Sequence, residues 1–161
     1  MNLEVKRAFV LADWMKSAHR AESEEDFLRL LSSESARLVR LTEREIDQII
    51  ARDEKRLERF EILSWTLGKV SLKGCFVYPH MGERAWAVGK VDEVAPKFIR
   101  LESFSSRIWK MKLFARLFCK LPLIVLKSDG QLKIDDGSHR AVVMFLAGLK
   151  SAPAFVGIQK E

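Results

Sequence analysis

Between Leu132 and Leu149 the spacing of apolar residues changes, and the change falls on Asp135-Asp136-Gly137-Ser138-His139-Arg140. Leu132 and Ile134 alternate with polar neighbours, as a half-buried strand does. From Ala141 the apolar positions Val142, Val143, Phe145, Leu146 and Leu149 take helical spacing, and Gly148 stands where a helix stop is expected. A chain with this junction runs strand, short loop, helix. The loop residues therefore collect at the start of a helix.

That placement carries chemistry. A helix N-terminus leaves backbone N–H groups outside the helical ladder and bears partial positive charge, so an anion at residues 137–140 meets donors already aimed at it. Gly137 has no Cβ and admits a ligand close to the backbone. Arg140 suits bidentate contact with a phosphate, Ser138 lies within the same turn, and His139 suits hydrogen bonding or proton transfer near neutral pH. Asp135 and Asp136 repel a bare phosphate and make sense if one accepts a hydroxyl proton or, at Asp136, holds Mg²⁺. The same residues also suit an ordinary Asp-Gly turn followed by an ordinary N-cap.

The surrounding sequence adds a pattern. Leu121-Pro122 opens an apolar run to Leu126, Ser128-Asp129-Gly130 marks a turn, the loop follows, and Ala147-Gly148-Leu149 leads into Ala152-Pro153-Ala154-Phe155-Val156. In order and spacing this resembles the ParB/sulfiredoxin superfamily: a Pro-led strand, a turn, a strand, Asp-Gly-x-His-Arg, a helix, a glycine, and a strand entered through proline. The likeness covers roughly residues 86–158, with its specific part in 121–157. Upstream, Val88 to Val94 corresponds to the family's first strand, and Pro96 with Arg100 to its first box.

The resemblance implies a nucleotide held at the loop and helix start by Gly137, Ser138, His139 and Arg140, with Arg100 as a further phosphate contact and ATP, ADP or CTP as the ligand. Members of the family diverge in use. Sulfiredoxins carry a nucleophilic cysteine before the His-Arg pair, where this chain has Ser138, whose hydroxyl cannot supply a resting thiolate; sulfinic acid reduction is therefore excluded. Free-serine kinases place a catalytic glutamate two positions past a proline. Counted from Pro96 that position is Phe98, which leaves Glu102 or Asp135 as the candidate base, with Asp136 and His139 as the other catalytic candidates. A serine-kinase-like phosphoryl transfer to a small hydroxyl substrate is the first functional expectation. The alternatives are a nucleotide-binding pseudoenzyme and a ParB-like DNA-binding protein or nuclease, which would use Asp135, Asp136 and a metal and would lack a helix-turn-helix reader.

Charge is divided along the chain. Of the net +6, residues 1–68 hold 12 Lys and Arg against 14 Asp and Glu, and residues 69–161 hold 16 against 8. The positive field thus belongs to the part that carries the motif, and it suits a nucleotide or a nucleic-acid backbone equally. Residues 105–120 read as a helix opened by Ser105 or Ser106, with Ile108, Met111, Ala115 and Phe118 on one face. Lys112, Arg116 and Lys120 recur on another, joined by Arg107 and Lys110, as a track for DNA phosphates or as an ordinary solvated face.

The remaining expectations concern organisation. Residues 1–68 read as helices: Phe9 to Ala18, a second from Ser23 through Val39, and a third from a Thr42/Glu45 capping box through Leu63, ended by Gly68. They form an N-terminal helical segment that packs on the core or joins two copies as a homodimer. Gly74 to Pro79 is β-like, and a lone His80 follows it as a loop residue. The expected fold class is α+β, with a ParB/sulfiredoxin-like small mixed-sheet core over residues 69–161. The chain has no run of about 18 apolar residues of the kind that spans a bilayer, its start does not read as a signal peptide, and Cys75 and Cys119 lack CxxC spacing. These features point to a cytoplasmic protein without membrane contact, disulfide or zinc.

Overall fold

A computed structural model describes residues 2–77, 89–99, 112 and 114–160. The fold is α+β. Helices come first: α1 (Asn2–Trp14), a 3-10 turn (Met15–Arg20), α2 (Glu24–Val39), α3 (Glu43–Ile50) and α4 (Glu54–Ile62). Then follow β1 (Leu63–Ser71), β2 (Cys75–Val77), β3 (Gly89–Lys90), α5 (Val91–Ile99), β4 (Leu123–Ser128), β5 (Gln131–Asp136), α6 (Ser138–Leu146) and β6 (Ser151–Gln159). Short 3-10 turns at Leu72–Gly74 and Leu117–Lys120 connect some of these.

The chain divides into two compact units, one of residues 1–66 with 157–161 and one of residues 67–156. In the first, Ser23 caps α2 by accepting from the Asp26 N–H at 3.1 Å, and the Thr42/Glu45 box closes reciprocally on α3. Val5, Val10, Phe27, Ile46, Ile50 and Phe60 fill its core. Phe60 stands edge-on to both Phe9 and Trp65, with ring centroids 5.7 Å apart in each case, and the Trp65 indole N–H donates to the Phe60 carbonyl.

The single long helix expected from Thr42 to Gly68 is corrected to two helices and a strand. The first ends at Ile50, and Asp53 caps the second, its carboxylate accepting from the Arg56 N–H at 3.2 Å. Beyond Ile62 the chain turns extended: Trp65 and Val70 are buried and Gly68 lies within the strand. The mixture of β-branched and aromatic residues with Gly in Leu63–Ser71 favours that conformation over a helix.

In the second unit the strands belong to a six-stranded sheet ordered β1-β6-β4-β5-β2-β3. It is mixed: β2 runs parallel to β5, whereas β2 with β3 and β4 with β5 are antiparallel. The β4–β5 hairpin turns through Asp129 (φ 53°) and Gly130 (φ 73°), the paired positive values of a primed turn that matches strand twist. A register shift at Ile124/Val125 puts a bulge opposite the end of β5, and both residues are buried.

The strand expected over Val88–Val94 is corrected as well. Among the described residues of that stretch only Gly89 and Lys90 pair as strand, and Val91 starts α5. The Glu93 carboxylate accepts from the Lys90 N–H at 3.0 Å and so closes the first turn. Val91, Val94, Ala95 and Phe98 are buried at the helical spacing i, i+3, i+4, i+7. These residues bury one side of α5, which packs against α6.

Helix α6 buries Ala141, Val142, Val143 and Met144; each of the larger three contributes about 2 kcal/mol by leaving water. Its end is closed as expected at Gly148. The Gly148 N–H donates to the Phe145 carbonyl at 2.9 Å and the Leu149 N–H to the Met144 carbonyl at 3.0 Å, a Schellman arrangement.

Candidate functional site

The junction of β5 and α6 follows from two local facts. Strand β5 ends at Asp136 and the next residue takes a left-handed turn, Gly137 having φ 97° and ψ 20°. The helix begins at once, the Ala141 N–H donating to the Gly137 carbonyl at 2.8 Å. The amides of the first turn, from Ser138 to Arg140, therefore precede the helical ladder. The N-cap residue, Gly137, has no side chain to cap them, and no acidic residue stands in that turn. The other capped helices differ: Ser23, Thr42 and Asp53 each put an oxygen on such an amide. The start of α6 thus carries the partial positive charge of a helix N-terminus without an acidic residue in its first turn.

Arg140 is turned inward. One guanidinium nitrogen donates to the Leu121 carbonyl and, at 3.4 Å, to the Pro122 carbonyl, while the other meets the Asp136 carboxylate at 3.0 Å. Its side chain is only 12 % exposed, so these contacts, and not solvent, satisfy its donors. Burial lowers its pKa, and the charge and hydrogen bond of Asp136 push it back up; a guanidinium stays protonated under such a shift. The arginine ties the segment leading into β4 to the end of β5. That makes it a positioning residue for the loop.

Gly137 is part of the same arrangement. A Cβ there would lie 2.6 Å from Leu123 Cδ2 and 2.8 Å from Arg140 Nη2. The guanidinium occupies the space that any other residue would need.

His139 is half-buried, its ring edge-on to Phe98 with centroids 5.8 Å apart. Phe98 itself is buried. Phe98, two positions past Pro96, therefore lies beside His139 and offers it a ring instead of a carboxylate. Ser138 is buried in the first turn, Asp135 half-buried one residue before Asp136.

Asp136 commits one oxygen to Arg140, and among the described residues no three His, Cys, Asp or Glu side chains converge.

Several expected residues lie elsewhere. Arg100, Glu102, Arg107 and Lys110 fall outside the described residues, as does His80. Lys112, Arg116 and Lys120 are exposed, while Ala115 and Phe118 are buried; Ile108 and Met111 fall outside the described residues. The regular helix does not continue to Lys120, however: residues 114–116 form a turn and Leu117–Lys120 a 3-10 helix. Among the described residues no helix is long and apolar enough to cross a membrane.

Sequence reasoning missed the Leu121 and Pro122 carbonyls and the Leu123 side chain as parts of the site. One signal was present: Asp136 and Arg140 are four residues apart, the spacing at which a carboxylate and a guanidinium meet across a helical turn. Comparison with protein-family models, with curated proteins and with solved structures finds no match.

Proposed function

We propose that this chain binds the phosphate groups of a nucleotide, ATP, ADP or CTP, at the start of α6, through the backbone amides of Ser138, His139 and Arg140. One observation carries the reading: an uncapped helix start behind a left-handed glycine, free of acidic residues in its first turn. Amides arranged in this way meet phosphate oxygens without further reorganisation. The sequence resemblance around Asp136-Gly137-Ser138-His139-Arg140 supports the same ligand class.

The reading is one of nucleotide binding ahead of phosphoryl transfer. Asp136 is engaged by Arg140, and Phe98 presents a ring to His139 where the kinase-like members carry a glutamate. Arg140 acts in this scheme by holding the loop, and the ligand's charge is met by the helix end.

Calorimetry with ATP, ADP, CTP and inorganic phosphate tests the proposal against His139→Asp. A carboxylate in the first turn favours the helix by about 0.3–1 kcal/mol yet repels a phosphate. Wild type is expected to bind at least one nucleotide, and the variant to keep its Tm while losing affinity at least about tenfold, the equivalent of about 1.4 kcal/mol. Absence of binding by wild type, or equal binding by a folded variant, overturns the proposal.

A further inference from the structure

The sheet of the second unit has two unlike faces where β3, β2, β5 and β4 adjoin. On one, Cys75, Val77, Val125 and Ile134 are at most 3 % exposed. Side chains alternate along a strand, so Phe76 and Lys133 project from the other. Register aligns them: Phe76 pairs with Lys90 on β3 and with Lys133 on β5, and Lys133 pairs with Leu126 on β4. A continuous row Lys90, Phe76, Lys133, Leu126 thus crosses four strands. Lys90 is exposed and the other three are half-buried.

The row places one aromatic residue between two lysines in register. Lys90 Nζ stands 5.9 Å from the Phe76 ring centroid, at the limit of a cation–π contact. Neither lysine has an ion-pair partner among the described residues. Asp135 lies on the same face by alternation, two residues nearer the α6 loop, and is half-buried. Residues 67–156 hold 15 Lys and Arg against seven Asp and Glu, so the unit that carries this face has a net positive charge.

We infer that this face binds single-stranded nucleic acid, with a base stacked on Phe76 and adjacent phosphates met by Lys90 and Lys133. A partly exposed ring beside lysines on a strand row suits a chain that alternates flat bases with charged linkages. An acidic peptide would use the lysines and leave the ring without a partner. Duplex DNA hides its base faces and cannot stack there. The surface is separate from the start of α6, and the inference does not depend on the nucleotide proposal.

The test is fluorescence anisotropy of the full chain with a labelled oligo-dT of about 15 nucleotides, enough for one such platform, at several salt concentrations. Phe76→Leu is expected to weaken binding at least about fivefold, since it removes one stacking partner, with the salt dependence unchanged. Phe76→Tyr keeps a ring and should bind like wild type, which guards against a folding defect in the leucine variant. Lys90→Gln and Lys133→Gln should each weaken binding and lower the slope of log affinity against log salt by about 0.7. The inference is overturned if the oligonucleotide does not bind, if a folded Phe76→Leu variant binds like wild type, or if poly-glutamate or a duplex of equal length competes as well as unlabelled oligo-dT.

Discussion

Gly137 and Arg140 depend on each other. The glycine allows φ 97°, and its missing Cβ leaves room for a guanidinium that reaches the Leu121 carbonyl and Asp136. A substitution at 137 therefore pays twice, in backbone strain and in displacement of a buried cation, whereas Gly130, with φ 73° and no heavy atom within 4 Å of a built Cβ, incurs strain alone. Gly130→Ala should destabilise by about 1 kcal/mol. Gly137→Ala should cost about 3 kcal/mol, because a buried charge also loses its geometry. Urea unfolding of the two variants measures the difference; equal costs would show that Arg140 relaxes without loss.

At the scale of elements, legibility followed from how local each signal was. The β4–β5 hairpin, the start of α2 at Ser23, the α3 capping box and the stop at Gly148 were all readable, since each depends on a few adjacent residues whose chemistry admits one geometry. The strand at Leu63–Ser71 was not, because Ile62 and Leu63 continue the apolar stripe of α4 while Trp65 and Val70 answer to burial from other parts of the fold. Val91 to Val94 misread in the opposite sense: the resemblance made Val88–Val94 a strand, whereas Glu93 closes a helical turn on Lys90. At the site, the loop residues were visible and the inward turn of Arg140 was not, since its acceptors are backbone carbonyls 18 and 19 residues away. The break between α3 and α4 can be tested at its cap. Asp53 accepts from the Arg56 N–H and also stands 3.7 Å from the Arg56 guanidinium. If the cap matters, Asp53→Ala should cost about 1 kcal/mol and Asp53→Asn almost nothing, because an amide oxygen caps as well as a carboxylate. Equal losses in thermal unfolding would instead assign the effect to the ion pair.

On the scale of the whole molecule, Lys6 in the first unit and Arg140 in the second have little or no solvent contact, and the two are held differently. Arg140 relies mainly on carbonyls, with one carboxylate. Lys6 of α1 is completely buried and gathers three carboxylates, Glu43 at 3.6 Å and Asp47 at 2.8 Å from α3, and Glu61 from α4. Burial alone would lower the Lys6 pKa, but the hydrogen bonds and charges of Asp47 and Glu61 outweigh it and raise the pKa above 10.5. A base whose folded pKa exceeds its unfolded one adds stability that is complete below the unfolded value and disappears as pH rises through the folded value. Removing the lysine should therefore matter at neutral pH and cease to matter in strong alkali. Lys6→Met keeps most of the volume, so its cost at pH 7 is that of the charged hydrogen bonds, about 2 kcal/mol. Urea midpoints followed by tryptophan fluorescence, for which buried Trp65 reports on this unit, should show the gap between wild type and variant constant from pH 7 to 9 and narrowing above 10.5. A gap that stays constant through that range would mean that Lys6 acts by packing alone, and that the three carboxylates around it add no charge-dependent stability.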